Sequence, residues 1–420
     1  MKKKVFINAN TVIRYVLGRD NVELLLKNCR IVDESKDVLG DIYIENGKIV
    51  EYGKSLNYDC KTIDADGLIA MPAFIDMHVH FRDPGYPHKE DLYTGSMAAL
   101  KGGYTFVNLM GNTQPIASNM DVVNYVLSKA EELNLVDVHQ VVSISKNFDG
   151  ESLEHLENLD HRVKFISDDG NGVQSNLIMY EAMLKAKEKD LIIIAHEEDE
   201  EIVKIDTRLS ENIMTFRDIY LSNITGAKLH LAHVSTKESI EKIRQAKIYN
   251  SNISCEVTPH HIALYDIKYR VNPPIREKKD VKAIIAGIKD GTVDMIATDH
   301  APHSKEDKEK GAPGISGIET AFSICYTQLV KSGEISLNKL SEIMSANPGK
   351  LAAINKGKIK KSYDGDIVLV DLDKKVLVDG NTFRSRGKNT PFNGMEFYGE
   401  VVATIRRGEI KYNGGIKVDN

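Results

Sequence analysis

The middle of the chain, residues 73–350, alternates short apolar runs with longer segments in which apolar residues recur every three or four positions. The short runs have the length of strands and include TFVNLM, VDVHQVVSI, LIIIAH, KLHLAHV and VDMIATD. The longer segments, such as SNLIMYEAMLKAKEKD and STKESIEKIRQAKI, have the periodicity of amphipathic helices. Near-continuous apolar strands separated by such helices predict parallel strands buried on both faces. Either a (β/α)₈ barrel or a doubly wound open sheet would satisfy this pattern.

Polar residues at the ends of the apolar runs distinguish the two folds. His196 ends one run, His233 lies in another, and Asp299 ends a third. A barrel brings the carboxyl ends of all its strands to one face, where several strands can contribute to the same chemistry. We therefore predict an α/β protein whose residues 73–351 form a (β/α)₈ TIM barrel.

The two ends of the chain share a different sequence pattern. Residues 22–72 and 352–413 contain short alternating strands, and Asn46-Gly47 between apolar residues is a strong signal for a two-residue hairpin. We predict one small β-sandwich domain built from both of these segments. Residues 1–21 are interpreted as an N-terminal extension without an assigned role, since they lack the apolar run of a signal peptide.

Composition excludes several classes of function. The formal net charge is -6 without a basic stripe, which argues against a nucleic-acid partner. No run approaches the roughly 20 apolar residues of a membrane span, so no membrane partner is expected. The four cysteines lie far apart and form no CxxC pair, which is typical of reduced thiols in a cytoplasmic protein. They are Cys29, Cys60, Cys255 and Cys325.

A candidate metal site begins at the first strand of the barrel, AFIDMHVHF. His78 and His80 are two residues apart, so both imidazoles point to the same face of a strand and can bind one ion. Such a pair alone is weak evidence, because surface and core histidines also occur at this spacing. Its apolar flanks and the following HFRDPG, with a strand-ending Pro-Gly, favour the metal interpretation.

Further candidate ligands lie at the ends of other strands. They are His196, His233, Asp299, Asp168 and Asp169. Imidazoles and carboxylates suit a borderline cation such as Zn²⁺, and two ions sharing a carboxylate would use the whole set. The alternative, separately satisfied polar groups at a barrel mouth, is harder to reconcile with contributions from five strands. A metal lowers the pKa of its bound water, and Asp299 is our candidate for the base that accepts the proton.

Eight ordered motifs resemble those of dihydroorotase, in its bacterial long-chain class within the amidohydrolase superfamily. They are HVHFRDPG, GNTQP, SDDGNGVQ, AHVST, EVTPHH, NPP, ATDHAPH and GIETAF, and the resemblance runs from about Val22 to Val402. It implies the reversible cyclisation of N-carbamoyl-L-aspartate to L-dihydroorotate in pyrimidine biosynthesis.

The resemblance also implies roles for individual residues. His78 and His80 match ligands of a first zinc ion, and His196 and His233 match ligands of a second. Asp299 matches both a ligand of the first ion and the general acid/base. The positions that match substrate contacts are His80, Arg82, Asn112, Asn272, His303, Pro313 and Gly314. Arg82 would bind the substrate carboxylate, for which a planar guanidinium is suited; the alternative is a surface salt bridge. His230 and His261 are interpreted as structural.

The sequence leaves two candidates for the residue that bridges the two metals. Many relatives use a carboxylated lysine, whereas the long-chain bacterial class has an aspartate. Asp169 falls at that aspartate position, in the DDG motif. Lys164 ends a strand-like run and is the rival; we favour Asp169.

Two other functions compete with this interpretation. Hydantoinases, dihydropyrimidinases and allantoinases share the barrel and its metals, although the arginine of HFRDPG argues against them. An inactive structural partner of aspartate transcarbamoylase is the second rival, but all six expected metal ligands are present.

We expect a homodimer, and the resemblance implies association with aspartate transcarbamoylase. Residues 197–232 and 262–271 are shorter than is usual in the class, which would alter a lid or a subunit contact.

Overall fold

A computed structural model describes residues 22–419, so the predicted extension 1–21 lies outside the described residues. Eight strands come from the two ends of the chain. They are β1 (Glu23–Asp33), β2 (Lys36–Glu45), β3 (Lys48–Gly53), β4 (Thr62–Asp64), β5 (Ile69–Pro72), β14 (Ile367–Leu377), β15 (Glu396–Arg406) and β16 (Glu409–Asn413). They form one mixed sheet in the order β16-β15-β14-β5-β1-β2-β3, with β4 beside β1. Antiparallel pairing of β14 with β5, in which Val368 is opposite Met71, joins the two ends.

The predicted hairpin connects β2 and β3. Asn46 and Gly47 have φ values of 51° and 78°, the left-handed conformation that a tight two-residue turn requires at both positions. An asparagine and a glycine adopt this conformation at low cost, which is why the dipeptide was informative.

The middle of the chain contributes parallel strands. They are β6 (Phe74–Val79), β7 (Tyr104–Leu109), β8 (Asp137–Gln140), β9 (Phe165–Ile166), β10 (Ile192–Ala195), β11 (Lys228–Leu231), β12 (Ile253–Val257) and β13 (Met295–Ile296). Strands β6 to β8 form one parallel sheet, and β9 to β13 form another. Two isolated parallel bridges lie between these sheets: Val142 pairs with Ile166, and Val79 pairs with His300. The predicted class of α/β fold with parallel strands is confirmed.

Helices alternate with these strands. They are α1 (Leu92–Lys101), α2 (Met120–Leu133), α3 (Asn176–Glu188), α4 (Thr207–Thr225), α5 (Lys237–Lys247), α6 (Pro259–Ala263), α7 (Lys278–Asp290), α8 (Lys305–Glu309), α9 (Ala321–Cys325), α10 (Leu337–Ser341) and α11 (Asn347–Leu351). Helices α3 and α5 begin where the sequence predicts. The hydroxyls of Ser175 and Thr236 accept hydrogen bonds from the amides of Ile178 and Ser239, and so cap the first turns.

Strand β9 is shorter than its apolar run predicts. The amide of Val163 bonds to the Asp160 carbonyl in a turn, and the amide of Lys164 donates to the His139 imidazole at 2.9 Å. These amides are therefore not available for pairing with a neighbouring strand.

Buried side chains divide into separate clusters. One lies among the parallel strands and includes Ile75, Phe106, Phe165 and Ile194, each from a different strand. A larger cluster lies between these strands and the helices around them. Another lies within the sheet formed by the two chain ends. No helix within residues 22–419 is long and apolar enough to cross a membrane.

Candidate metal centre and substrate pocket

The six residues predicted as metal ligands lie together at the carboxyl ends of the parallel strands. His78 is on β6, and the remaining five follow β6, β9, β10, β11 and β13 by a few residues at most. All six are buried; they are His78, His80, Asp169, His196, His233 and Asp299. The fold therefore converts widely separated positions of the sequence into one cluster, as expected where parallel strands end on the same side.

One group of possible ligands contains His78, His80 and Asp299, with one nitrogen or oxygen from each within 4.8 Å of the others. Nε2 of His80 lies 3.2 Å from Oδ1 of Asp299, and Nε2 of His78 lies 3.8 Å from the same oxygen. The two imidazoles of the HxH pair thus face one carboxylate.

Asp169 lies at the centre of a second group, with His78 and His233. Its Oδ1 lies 3.3 Å from Nε2 of His78, 3.3 Å from Nδ1 of His196 and 3.7 Å from Nε2 of His233. Its Oδ2 lies 3.4 Å from Nε2 of His80. Asp169 is therefore the carboxylate that contacts all four histidines. Asp168 turns away and accepts hydrogen bonds from the amides of Ile144 and Ser145.

Unpartnered atoms test whether these residues fit a metal. Nε2 of His78, Nε2 of His196 and Oδ1 of Asp169 are buried and form no hydrogen bond with the described residues. Buried polar atoms are seldom left without partners. Imidazole nitrogens and carboxylate oxygens in one cluster are the donor set that Zn²⁺ prefers. The residues present thus fit a metal of this kind.

Hydrogen bonds on the far side of each ring orient the HxH pair. Nδ1 of His80 donates to Oδ1 of Asn112 at 2.8 Å, and Nδ1 of His78 donates to Oε1 of Glu256 at 2.8 Å. With Nδ1 as the donor, each ring directs Nε2 toward the cluster, where a deprotonated Nε2 would offer its lone pair to a metal. Partners of this kind fix the tautomer of metal-binding histidines.

The electrostatics of the cluster keep its carboxylates charged. Burial alone would raise the pKa of Asp299, but its contacts with His80 and His78 outweigh burial and lower that pKa well below its ordinary value. Burial likewise acts against ionisation of Asp169, and its histidine neighbours again lower the pKa. The pKa of His80 is lowered by burial and by the charge of Arg82, which favours the neutral, ligating imidazole.

Three residues of the site have a left-handed backbone that is uncommon for residues with a side chain. Arg82, His233 and Asp299 have φ values of 59°, 33° and 47°. Such conformations cost free energy and persist where the surrounding structure holds them, often at functional sites. All three residues line one cavity.

A cavity of about 170 Å³ opens beside the cluster. Its lining residues include every position that the sequence matched to substrate contacts: His80, Arg82, Asn112, Asn272, His303, Pro313 and Gly314. Gly170 and Ala301 also line it, together with the candidate ligands other than His78. The site is therefore large enough for a small molecule only.

Arg82 presents an unsatisfied cation to this cavity. Its Nε is buried and forms no hydrogen bond among residues 22–419. One terminal nitrogen lies 3.3 Å from Nε2 of His303, but that Nε2 donates to the Pro313 carbonyl at 2.8 Å and cannot also accept. Burial and the charge of Arg82 lower the pKa of His303 to about 3, so the imidazole is neutral at ordinary pH. The guanidinium is consequently available to an anion.

The rival bridging residue lies elsewhere. Nζ of Lys164 donates to the carbonyl of Ala352 at 2.7 Å, whereas Asp169 contacts the four histidines. Lys164 does not line the cavity beside the candidate ligands. This geometry favours Asp169 over a carboxylated Lys164.

Some residues that support the site were not identified from sequence. Glu256 binds His78 and, through Oε2, Nε2 of His230 at 3.0 Å. Glu198 accepts a hydrogen bond from the Asn272 amide at 2.6 Å. Nζ of Lys308 donates to the Gly314 carbonyl at 3.0 Å and to two other carbonyls of this loop region. The EVTPHH motif contained the one signal for Glu256, a charged residue inside an apolar strand.

The other histidines that the sequence singled out contact protein groups. His230 lies between Glu256 and the Ser254 hydroxyl. His261 contacts the Thr258 hydroxyl and the Pro273 carbonyl. Neither lines the cavity beside the candidate ligands.

Comparisons with known proteins identify the family of the chain. Residues 69–411 match the amidohydrolase family. A dihydroorotase of Clostridium botulinum (strain Eklund 17B / Type B) is 54% identical over 396 residues, covering 93% of this chain and all of the relative. A dihydroorotase of Thermoanaerobacter sp. (strain X514) is 41% identical, covering 93% of this chain and 97% of the relative. Among solved structures, an L-hydantoinase (dihydropyrimidinase) from Arthrobacter aurescens superposes with a TM-score of 0.85 at 25% identity, covering 94% of this chain and 97% of its own.

Proposed function

Because the chain belongs to the amidohydrolase family, and within it to the dihydroorotases, we propose that it interconverts N-carbamoyl-L-aspartate and L-dihydroorotate, the third step of de novo pyrimidine synthesis. One observation carries the choice of substrate. Arg82, with an unpaired guanidinium nitrogen, lines the same small cavity as the candidate metal ligands. A cyclic amide that bears a free carboxylate can place its carboxylate on Arg82 and its scissile amide at the metal cluster.

We propose that the cluster holds two Zn²⁺ ions. His78, His80 and Asp299 would hold the first, His196 and His233 the second, and Asp169 would bridge them. Bound zinc would supply Lewis acidity toward the ring carbonyl and the attacking water. The unpartnered Nε2 of His78 and Oδ1 of Asp169 support this assignment.

Asp299 is proposed as the general acid/base. In the hydrolytic direction its carboxylate accepts a proton from the attacking water and delivers it to the ring nitrogen that leaves. Its lowered pKa keeps the carboxylate ionised and able to accept. In ring closure the carboxylate takes the proton from the attacking carbamoyl nitrogen and returns it to the hydroxyl of the protonated substrate carboxyl group, which leaves as water.

The substrate is held from several sides in this proposal. Arg82, Asn112, Asn272 and His303 provide polar groups, and Pro313-Gly314 approaches through its backbone. Gly314 has φ 137°, and a Cβ there would lie 2.7 Å from the Ala301 carbonyl, so this close approach requires glycine.

We propose that the parallel strands form a closed (β/α)₈ barrel over residues 73–351. The two bridges between the sheets, Val142–Ile166 and Val79–His300, support closure at both seams. We also propose that residues 22–72 and 352–413 form a composite β-sandwich. The buried cluster shared by the first strands and by β14 and β15 supports this domain.

Assembly and location are further proposals. We propose that the chain forms a homodimer. We also propose that it works in the cytoplasm, for which the four free thiols provide support. Association with aspartate transcarbamoylase, implied by the sequence resemblance, can be tested by co-sedimentation of the two purified enzymes.

A hydantoinase is the second candidate, because the structural neighbour described above has that activity and closely the same fold. Hydantoin and dihydrouracil lack the carboxylate that Arg82 would bind.

The discriminating experiment compares turnover of L-dihydroorotate, hydantoin, dihydrouracil and allantoin by the zinc-loaded enzyme. We expect a kcat/KM for dihydroorotate at least about a hundredfold above the others, since a buried charged contact contributes about 3 kcal/mol. Preference for hydantoin or allantoin would overturn the proposal. Stable folding without bound zinc or turnover would favour an inactive structural partner.

A further inference from the structure

Helix α4 (Thr207–Thr225) buries mostly polar residues, together with Met214 and Ile219, and exposes a line of large apolar ones, unlike an ordinary surface helix. Its buried positions include Glu211, Thr215, Asp218 and Ser222. Its exposed positions between 207 and 222 are large apolar residues: Leu209, Ile213, Phe216 and Tyr220. Ile224, in the last turn, continues the same strip. An outward apolar strip of this length indicates a surface that contacts another molecule.

The inversion is specific to this part of the surface. Helix α7 (Lys278–Asp290), which also packs outside the parallel strands, exposes Lys278, Lys279, Lys282 and Lys289 and buries Val281, Ile284 and Ile288. That arrangement is the usual one for a helix that faces water. The apolar exposure of α4 is therefore not a general property of the outer helices.

The neighbouring helix α3 (Asn176–Glu188) extends the surface. Leu177, Tyr180 and Leu184 are exposed along its outer side, and α3 packs directly against α4. We call these three residues and the five of α4 the α3/α4 face. With about 200 Å² for each large side chain, their exposed fractions amount to roughly 800 Å². A stable dimer buries about 800 Å² on each partner.

We infer that the α3/α4 face is the surface through which two copies of this chain pair, with the α4 helices antiparallel across a two-fold axis. The α4 strip has successive spacings of four, three, four and four residues, the pattern of a helix that packs along another helix. The strip is self-complementary, as a two-fold interface requires.

The charges at the ends of α4 agree with the antiparallel arrangement. Glu200, Glu201 and Asp206 precede the helix, partly offset by Lys204. Two lysines lie at its other end: Lys187, whose Nζ donates to the Thr225 carbonyl, and Lys228, whose charge is partly offset by its ion pair with Asp190. Antiparallel packing brings the acidic end of one helix to the basic end of its partner, whereas parallel packing would oppose like charges.

This inference deepens the proposed homodimer and does not depend on the proposed chemistry. The face lies on the outer side of helices that follow β9 and β10, outside the cavity that holds the candidate ligands. A chain that pairs through this face but lacks dihydroorotase activity would refute the proposed function and leave the interface standing.

Sedimentation equilibrium of the full-length protein tests the interface. We expect a dimer for the wild type and a dissociation constant at least about a hundredfold higher for Phe216→Glu, since each charge enters a two-fold interface twice. Leu377→Glu is the matched control: Leu377 is also an exposed apolar residue, 61% exposed against 41% for Phe216, but it lies on β14. This control should remain dimeric. A monomeric wild type, or a dimer that Phe216→Glu leaves unchanged, would overturn the inference.

Cross-linking provides a second test that does not rely on a destabilising charge. Phe216 lies near the middle of the strip, so a two-fold axis places it beside its own copy. A cysteine is introduced as Phe216→Cys. Cys60 is replaced in the same chain by Cys60→Ser because it is partly exposed and could react, whereas the other native cysteines are buried. A short bismaleimide should join two chains of this variant and should not join two chains of a Leu377→Cys control. Equal cross-linking of both, or of neither, would contradict the arrangement.

Discussion

The carboxylate of Glu256 lies between two histidines beneath the candidate metal site, with Oε1 2.8 Å from Nδ1 of His78 and Oε2 3.0 Å from Nε2 of His230. All three side chains are fully buried. Burial opposes the charge of Glu256, but its hydrogen bonds with His230 and His78 lower its pKa to about 2. The carboxylate therefore fixes the orientation of His78 and increases the basicity of its free nitrogen.

Replacement of Glu256 should weaken metal binding without touching a ligand. For Glu256→Gln we expect zinc affinity to fall 10- to 100-fold, the usual effect of losing an outer partner of a metal-binding histidine. Competition with a chromogenic chelator measures this affinity. Ser254→Ala, which removes only the far end of the chain of hydrogen bonds, is the control and should stay within about threefold of wild type. Wild-type affinity in Glu256→Gln would show that His78 needs no such partner.

The two candidates for the metal bridge make opposite predictions. Asp169→Ala should lose most of its zinc, because Asp169 contacts all four histidines. Lys164→Ala should retain zinc and lose about 1 kcal/mol of unfolding free energy, from the hydrogen bond with the Ala352 carbonyl. Zinc analysis and chemical denaturation of both variants measure these effects. Loss of the metals from Lys164→Ala and their retention in Asp169→Ala would establish the lysine as the bridge.

Arg82→Lys should impair use of the substrate carboxylate. A lysine keeps the charge but cannot form two parallel hydrogen bonds, so kcat/KM for dihydroorotate should fall about a hundredfold, mostly through KM. Inhibition by dihydrouracil, which lacks the carboxylate, should change little. A KM for dihydroorotate that stays at the wild-type value would place the carboxylate away from Arg82.

The sequence predicted the candidate metal ligands but not the residues that orient them. The HxH pair, the DDG motif and the polar residues at strand ends could be found because parallel strands place their carboxyl ends together whatever their exact register. Glu256 could not, because its role depends on the relative position of β6 and β12, on which His78 and Glu256 lie 178 residues apart. Contacts between residues so far apart in the sequence form only when the chain folds, so the local sequence does not reveal them.

Helix α4 shows a second limit of sequence interpretation. Apolar residues at Leu209, Ile213, Phe216 and Tyr220 have the helical periodicity, and that periodicity alone would place them toward the core. In the structure the opposite side faces inward, because Glu211 accepts hydrogen bonds from the amides of Ser235 and Thr236 and pairs with Arg276 at 3.0 Å. A buried polar network thus outweighs the apolar strip in orienting the helix.

The stability of the protein should fall in mild acid through His139. Its Nδ1 donates to Asn108, and its Nε2 accepts the amide proton of Lys164, so the ring must be neutral. Burial and the charge of Lys164 lower its pKa from 6.5 to about 3. Between these values the unfolded state binds the additional proton, so the unfolding free energy decreases as pH falls, by about 2 kcal/mol at pH 5.

Denaturation of the metal-free protein at pH 7 and pH 5 measures this effect without interference from zinc release. His139→Gln should be less stable than wild type at pH 7 and should lose less stability between pH 7 and pH 5. An equal loss in both proteins would show that other groups account for the acid sensitivity.

In the proposed mechanism, Asp299 exchanges protons with dihydroorotate at a site that holds two metal ions. The most direct measurement is dihydroorotate hydrolysis, followed by loss of ultraviolet absorbance, for wild type and Asp299→Ala with zinc determined on both. We expect about two zinc ions and turnover in wild type, and a fall in kcat of at least about a thousandfold in the variant, beyond the effect of any lost metal. Near-wild-type turnover by Asp299→Ala, or a zinc-loaded wild type that leaves dihydroorotate intact, would contradict the account.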